Sequence, residues 1–235
     1  MCGILLKRQG HNVRILEQAT SSQREGTAAG IGLSGHMKVF MSQHDRLRER
    51  PIATSNAQMH VLDSKLDVAK KIPLNMDMTS WDAVYYRLRA NFDALQSSYC
   101  LDPPAAESSE GEGVFETGKL VVGVDDVDGT MTVTAEDAKA GASEKINADL
   151  VIAADGANSR IRRQMQPSLE RDEPGYVIWR GTVPMRDLSS QLLAKIGDRT
   201  CFLFLKYSYV VMSVESEYAF CGVCKLTRAQ IYDPR

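Results

Sequence analysis

The sequence predicts an α/β chain in two parts: a layered α/β domain over residues 1–173, then the start of a sheet-rich domain over 174–235. Three observations carry this. A helix, a glycine and a short apolar strand ending in Glu17 follow one another at the start, which is the second half of a βαβ unit. A second apolar run, Leu150 to Ala154, leads into Asp155-Gly156. After Pro174 come aromatic-rich, strand-like segments with little helix between them.

The composition narrows the class. At 235 residues the chain suffices for one large domain or two modest ones, and 43% apolar with 25% charged residues is ordinary globular usage, so fibrous and disordered classes are excluded. Twenty-eight Lys plus Arg against 30 Asp plus Glu leaves a formal charge of -2, which argues against nucleic acid as a partner. No apolar run approaches the roughly 18 residues of a membrane helix, and the first residues are not a signal peptide. The five cysteines, Cys2, Cys100, Cys201, Cys221 and Cys224, are scattered and odd in number. They fit a reducing compartment, and a cytoplasmic location is expected. Cys221 and Cys224 form a lone CxxC without a second pair or a nearby His, so ordinary thiols in or beside a strand are expected there, rather than a redox or zinc pair. None of the four histidines has metal-ligand spacing, and no metal site is expected.

In order along the chain, Ile4 to Arg8 reads as the last turns of a helix with Gly10 at C′, and Val13 to Leu16 as the strand after it. Residues 18–35, with Gly26, Gly30, Gly32 and Gly35, read as an extended loop, and His36 to Gln43 as a short helix. Strands are expected near 59–62 and 68–72, residues 45–75 contributing strands beside the second domain. Thr79 and Ser80 cap a helix over 81–96, where Trp81, Val84, Tyr85, Leu88, Phe92 and Leu95 form an apolar face. Asp102 to Gly113 reads as a linker, and the acidic residues between 101 and 150 as solvated loops and strand faces. Leu120–Val124 and Met131–Ala135 are strands joined by an Asp128-Gly129 turn. A strand over 149–155 and a helix over 159–164 follow. Strands at 176–183, 201–205 and 209–214 open the second domain.

Three places could carry chemistry. Glu17, at the carboxyl end of its strand, suits the two hydroxyls of a ribose, because a carboxylate offers several acceptor sites to a vicinal diol; it could equally close a strand edge in solvent. The loop from Arg24 to Leu33 combines a guanidinium with glycines that allow close approach of a phosphorylated ligand, or it is a solvated loop. In LVIAADGANSRIR, Asp155 lies where parallel sheets bind ligands, Gly156 permits a sharp turn, Ser159 caps the next helix, and Arg162 pairs with Asp155 or another carboxylate. A structural Asx turn is the alternative there.

These stretches together resemble the FAD-dependent aromatic-ring monooxygenases of the p-hydroxybenzoate hydroxylase class, in the branch similar to 2,6-dihydroxypyridine 3-monooxygenase. GILLKRQGHNVRILEQ looks like that family's first helix and second strand, AAGIGL like its loop beside the flavin, and TSWDAVYYRLRANFD like a characteristic helix. DLVIAADGANSRIR resembles its DG fingerprint, and GYVIWRGTVP the opening strand of its substrate domain. The resemblance covers essentially the whole chain. It implies a Rossmann-like FAD-binding domain, here without the first strand and GxGxxG, followed by the start of a sheet-rich substrate domain.

Carried over, the resemblance places Glu17 on the adenosine ribose of FAD, Gly30 and Ile31 near the flavin, and Arg24 toward the pyrophosphate. Asp155, Gly156 and Arg162 belong to the DG motif, which serves FAD and NAD(P)H. Many relatives carry a pyrophosphate-contacting Arg where this chain has Trp81; Arg180 would face the domain interface or cofactor channel, or is a solvated or salt-bridged arginine. No catalytic acid or base is assigned. The implied activity is hydroxylation of an electron-rich aromatic or N-heteroaromatic ring with FAD, NAD(P)H as co-substrate and O2; the implied partner is a small aromatic substrate, with no nucleic acid and no membrane. The GxGxxG and the later GD motif are not in the sequence, so the chain reads as a monooxygenase shortened at both ends. The alternative is a non-catalytic fragment or degenerate paralogue acting through protein association; an NAD-binding dehydrogenase is a third reading.

Overall fold

The computed structural model describes residues 1–21, 30–47, 51–170, 172, 176–196, 200–205, 208–215 and 218–226, with the backbone alone at 56, 57, 75, 180, 182, 205, 208–215 and 218–226. The elements are α1 (Cys2–Arg8), β1 (Val13–Glu17), β2 (Gly30–Leu33), α2 (Gly35–His44), β3 (Thr54–Leu62), β4 (Val68–Ser80) and α3 (Trp81–Asp93). Then come β5 (Gly113–Thr117), β6 (Lys119–Val127), β7 (Thr130–Asp137), β8 (Ser143–Ala148) and α4 (Arg160–Met165). Last are β9 (Tyr176–Pro184), a 3-10 turn (Met185–Asp187), α5 (Ser190–Ile196), β10 (Thr200–Leu205), β11 (Ser208–Glu215) and β12 (Tyr218–Leu226). They form two compact units, one of residues 2–24 and 106–172, the other of Met1, 25–105 and 173–235.

In the first unit, α1 ends as expected at Gly10, whose φ is +88°. The Gly10 N–H reaches the Lys7 carbonyl at 3.0 Å and the His11 N–H the Leu6 carbonyl at 3.1 Å, a Schellman closure that turns the chain into β1. β1 pairs in parallel with β5, Val13 opposite Gly113 and Glu17 opposite Thr117. Arg14 grips Glu116 across that pair through two hydrogen bonds of 2.7 and 3.0 Å. β6, β7 and β8 form a separate antiparallel sheet. Its first turn is the expected Asp128-Gly129, with φ of +53° and +81°, the two positive values a type I′ turn demands. Val124 and Val133 of this sheet pack with Ile161 of α4, and Leu16 and Val151 join them.

Two expectations change in this unit. Residues 149–155 do not form a strand: they make no ladder pairing, and Leu150 is 64% and Ile152 53% exposed while Val151 turns inward. Apolar composition marks a segment suited to burial in a sheet, but a strand exists only through its neighbours' hydrogen bonds. The acidic stretch before β5 is also not wholly solvated. The Glu110 side chain is buried and pairs with Lys7 at 3.2 Å, tying the segment ahead of β5 to α1.

The second unit is built on a seven-stranded sheet in the order β2-β4-β3-β10-β11-β12-β9. β3 and β10 run parallel and every other neighbouring pair is antiparallel. Leu62, Ile196 and Cys201 form a core between α5 and this sheet. Residues 30–33, expected as loop, are the edge strand β2, and Ser34 caps α2 by accepting the Met37 N–H at 3.3 Å. Strands β3, β4, β9, β10 and β11 cover the expected segments and β12 lies where a strand was expected at or beside the CxxC, whereas β5, β8 and α5 carried no recognised signal. Cys221 and Cys224 both lie on β12.

Helix α3 starts where expected, Ser80 accepting the Ala83 N–H at 3.1 Å. Its burial differs from the apolar-face expectation: Asp82, Ala83, Tyr86, Arg87, Arg89, Ala90 and Asn91 are buried with Phe92, while Trp81 is exposed. The reason is polar pairing. Arg87 faces Asp45 at 3.5 Å and donates to the Leu47 carbonyl, and Asn91 donates to Asp45 at 2.9 Å and accepts from the Arg46 N–H at 3.0 Å. Arg89 pairs with Asp93 at 2.7 Å one turn on. Such pairing offsets much of the cost of taking this face inside.

Candidate functional site

The first unit holds most of the marked residues. Glu17 closes β1, half-buried, and its Oε1 accepts the Ala19 N–H at 2.8 Å. The Ala19 carbonyl in turn accepts the Gly118 N–H at 2.8 Å, so the exit from β1 is fixed to the exit from β5. The carboxylate therefore sits on a defined turn at the carboxyl end of a parallel pair, the end at which such sheets receive ligands.

The Asp155-Gly156 turn is equally ordered from within. Asp155 Oδ2 accepts the Arg160 N–H at 2.8 Å and the Ile161 N–H at 3.3 Å, and Ser159 Oγ accepts the Arg162 N–H at 2.9 Å. Both side chains thus cap the start of α4, where unpaired N–H groups would otherwise face solvent. Partial desolvation is the largest influence on Asp155 and pushes its pKa up. Hydrogen bonds from Ser159 and from the N–H groups of Ile161, Asp155 and Arg160 outweigh it and hold the carboxyl below the usual range.

Among the described residues Arg162 pairs with neither Asp155 nor another carboxylate. Its guanidinium donates to the carbonyls of Gly156 at 3.4 Å and Ala157 at 2.6 Å, which braces the turn. This is a correction with a plain cause: Asp155 is already engaged by α4's N–H groups, and the turn's carbonyls lie within the arginine's reach. Gly156 has φ of +74°, and a Cβ there would meet nothing within 4 Å, so the turn's main chain is open to close approach.

Leu16, next to Glu17, packs in the same core as Ile161 of α4 and Val151, so one hydrophobic cluster supports the strand of Glu17 and the helix behind the DG turn. Gln164, which carried no sequence signal, locks α4 to that core. Its amide accepts the Val124 N–H at 3.1 Å and donates to the Val124 carbonyl at 2.7 Å, completing the edge of β6 as a neighbouring strand would. That contact spans 40 residues, which local pattern does not reveal.

In the second unit, Gly30 and Ile31 lie on β2 and pair with Ser80 and Thr79 of β4. A Cβ at Gly32, on the same strand, would meet the Met76 sulfur at 2.0 Å, so glycine there admits the Met76 side chain. Arg24 lies outside the described residues; Arg180 is in β9, opposite Gly222, with its side chain outside them too. Among the described residues no group of His, Cys, Asp and Glu could hold a metal ion, and no helix is long and apolar enough to cross a membrane.

This arrangement is the FAD-binding-domain fold of the flavin-dependent monooxygenases. The chain matches the model of the family described as FAD binding domain over residues 1–190, and it belongs to that family. No curated protein matches it. Among solved structures, it is similar to 2,6-dihydroxypyridine-3-hydroxylase from Arthrobacter nicotinovorans, at 19% identity and a TM-score of 0.69, over 96% of this chain and 52% of that one. It is similar to the flavin-dependent monooxygenase PieE, solved with FAD and substrate, at 13% identity and 0.69, over 95% and 40%. An HpxO variant from Klebsiella pneumoniae complexed with FAD gives 18% and 0.65, over 98% and 55%. The chain thus spans about half the length of these structures or less.

The residues present fit the adenosine side of FAD. A carboxylate at a parallel strand's carboxyl end matches a ribose diol, and the DG turn offers main chain that a ligand can approach without meeting a side chain at Gly156.

Proposed function

We propose that this chain is the FAD-binding part, with the beginning of the substrate domain, of a monooxygenase that hydroxylates an electron-rich aromatic or N-heteroaromatic ring using NAD(P)H and O2. The observation that carries the reading is that Glu17 and the DG turn, marked independently in the sequence, rest on one hydrophobic core within the residues that match the family. In this reading residues 1–173 form the FAD-binding domain and 174–235 begin the substrate domain. The parallel pairing of β3 with β10 supports the placing of 45–75 beside the latter.

Glu17 would hold the adenosine ribose through its hydroxyls, with the turn at Ala19 keeping the carboxylate oriented. Asp155 and Gly156 would present main chain and a permanent negative charge to FAD and to the nicotinamide cofactor, Arg162 keeping the turn in shape. Gly30 and Ile31 would lie along the flavin, and Arg24 would neutralise the pyrophosphate. Bound FAD would supply the redox and oxygen chemistry of the hydroxylation. The chain's own contribution is orientation, electrostatics and exclusion of water. A cytoplasmic location belongs to the same proposal.

Titration of the gel-filtered chain with FAD, followed by visible absorbance and flavin fluorescence, tests it. Stoichiometric binding is expected. Glu17→Ala should weaken it by about ten- to a hundredfold, since hydrogen bonds to a charged group contribute about 1.5–3 kcal/mol. NAD(P)H oxidation stimulated by hydroxypyridines or phenols would extend the reading to turnover. Soluble, folded protein that binds no FAD would overturn independent flavoenzyme function and favour the non-catalytic alternative.

A further inference from the structure

Four aromatic side chains of the second unit touch in series. Trp81 stacks on Tyr85 with ring centroids 4.8 Å apart and planes 14° apart. Tyr85 meets Tyr86 edge to face at 5.1 Å, and Tyr86 stacks on Tyr99 at 5.3 Å and 8°. Each separation is direct ring contact. The two ends are open to solvent, Trp81 at 36% and Tyr99 at 38%, while Tyr86 is 3% exposed. Trp81 and Tyr85 meet because they are four apart on α3. Tyr99 joins through the tight turn closed by the Ser97–Cys100 hydrogen bonds of 2.9 and 3.1 Å.

We propose that this ladder is a hole relay, which passes an oxidising equivalent from Trp81 to Tyr99 at the surface. An oxygen-centred radical, or another one-electron oxidant, removes one electron from the Trp81 indole and is itself reduced by one electron; the Nε1 proton goes to water. One electron then moves from Tyr99 through Tyr86 and Tyr85 to the Trp81 radical. Trp81 regains a proton from water and is restored. Tyr99 releases its phenolic proton to water and becomes a neutral phenoxyl radical. The sum is one electron to the oxidant and one proton to water.

The direction follows from chemistry and placement. A phenol whose proton can leave to water is easier to oxidise than an indole, and Tyr99, 38% exposed, is the phenol at the far end. Tyr85 transmits rather than holds the charge. Arg89 donates to its hydroxyl at 2.6 Å and sits 5.6 Å from its ring centroid, and a cation there opposes loss of an electron from that ring. Trp81 also directly follows Ser80, which pairs with Gly30, the segment assigned above to the flavin. The source of the oxidant rests on that assignment, but the relay itself needs no cofactor and is tested without one.

The experiment is pulse radiolysis of the whole chain with azide radical as oxidant. Trp81 and Trp179 are the two tryptophans, so a Trp179→Phe background leaves Trp81 as the sole indole. In that background the indolyl absorption should decay as the phenoxyl absorption grows, at a first-order rate independent of protein concentration. Tyr99→Phe, which keeps the ring, should slow the decay by about tenfold or more and reduce the phenoxyl yield. Tyr86→Leu should slow it likewise with Tyr99 still present, circular dichroism confirming that each variant is folded. Decay unchanged by Tyr99→Phe, or a rate that scales with protein concentration, would overturn the relay.

Discussion

The DG turn and helix α3 both place charged side chains at fixed positions, but they do so in opposite surroundings. In the turn, Asp155 is exposed and holds main-chain N–H groups of its own segment. In α3, Arg87 and Arg89 are buried, and Arg87 is held by the Leu47 carbonyl, 40 residues away along the chain, and by the still more distant Asp45. The difference separates two tasks. An exposed, locally capped carboxylate shapes a turn while staying open to a ligand. A buried arginine such as Arg87 joins distant segments, and its worth lies in the cost of stranding it without partners.

Asp45→Ala should break this comparison most severely. It removes the carboxylate that faces Arg87 and accepts from Asn91 and the Leu47 N–H, leaving a buried guanidinium without its counter-charge. A loss of about 3–5 kcal/mol is expected, measured by urea unfolding followed by tryptophan fluorescence. Both tryptophans lie in that unit, so the signal reports on it directly.

Gly111→Ala asks whether the first unit has any equally intolerant point. A Cβ there would sit 2.1 Å from the His11 carbonyl oxygen, which is main chain and cannot swing away. About 1–3 kcal/mol should be lost, read by circular dichroism during thermal unfolding. Ser159→Ala removes a single cap from α4 and should cost about 1 kcal/mol in the same measurement.

The smallest effect is one of pH. A carboxyl whose folded-state pKa is lowered adds stability that is complete above its unfolded-state pKa and disappears as pH falls through the folded value. Asp155 is such a group, since hydrogen bonds from Ser159, Ile161, its own N–H and Arg160 outweigh the opposing desolvation. The wild-type chain should therefore lose more stability on acidification than Asp155→Asn does, and the two should behave alike below the folded-state value. Equal acid sensitivity would mean that Asp155 does not hold the turn through its charge.

Much of the local architecture was legible because it depends on neighbouring residues. Gly10, the Asp128-Gly129 pair and Ser80 each did what their residue types dictate, and so did the starts of α2, α3 and α4. Glu17 and the DG turn were legible as a carboxylate at a strand end and an acidic glycine turn after an apolar run. The partners of these residues were not. Arg162 was matched with a carboxylate because opposite charges attract, yet the nearer carbonyls of Gly156 and Ala157 take it. The apolar stripe of α3 suggested the wrong inner face, because periodicity registers apolarity and is blind to a polar residue whose partner lies far along the chain.

The sequence by itself determined several of the turns, where α2, α3 and α4 start and where α1 stops, and which carboxylates stand at strand and turn ends. These follow from backbone dihedral preferences and capping hydrogen bonds that close within a few residues. Only the tertiary structure decided that β1 lies beside β5, that the Glu110 side chain is buried against Lys7, that Gln164 completes the edge at Val124, and that Leu150 and Ile152 are exposed. Each of these depends on contacts between segments far apart in the chain, whose formation is opposed by loop-closure entropy and favoured by burial and pairing of the assembled whole.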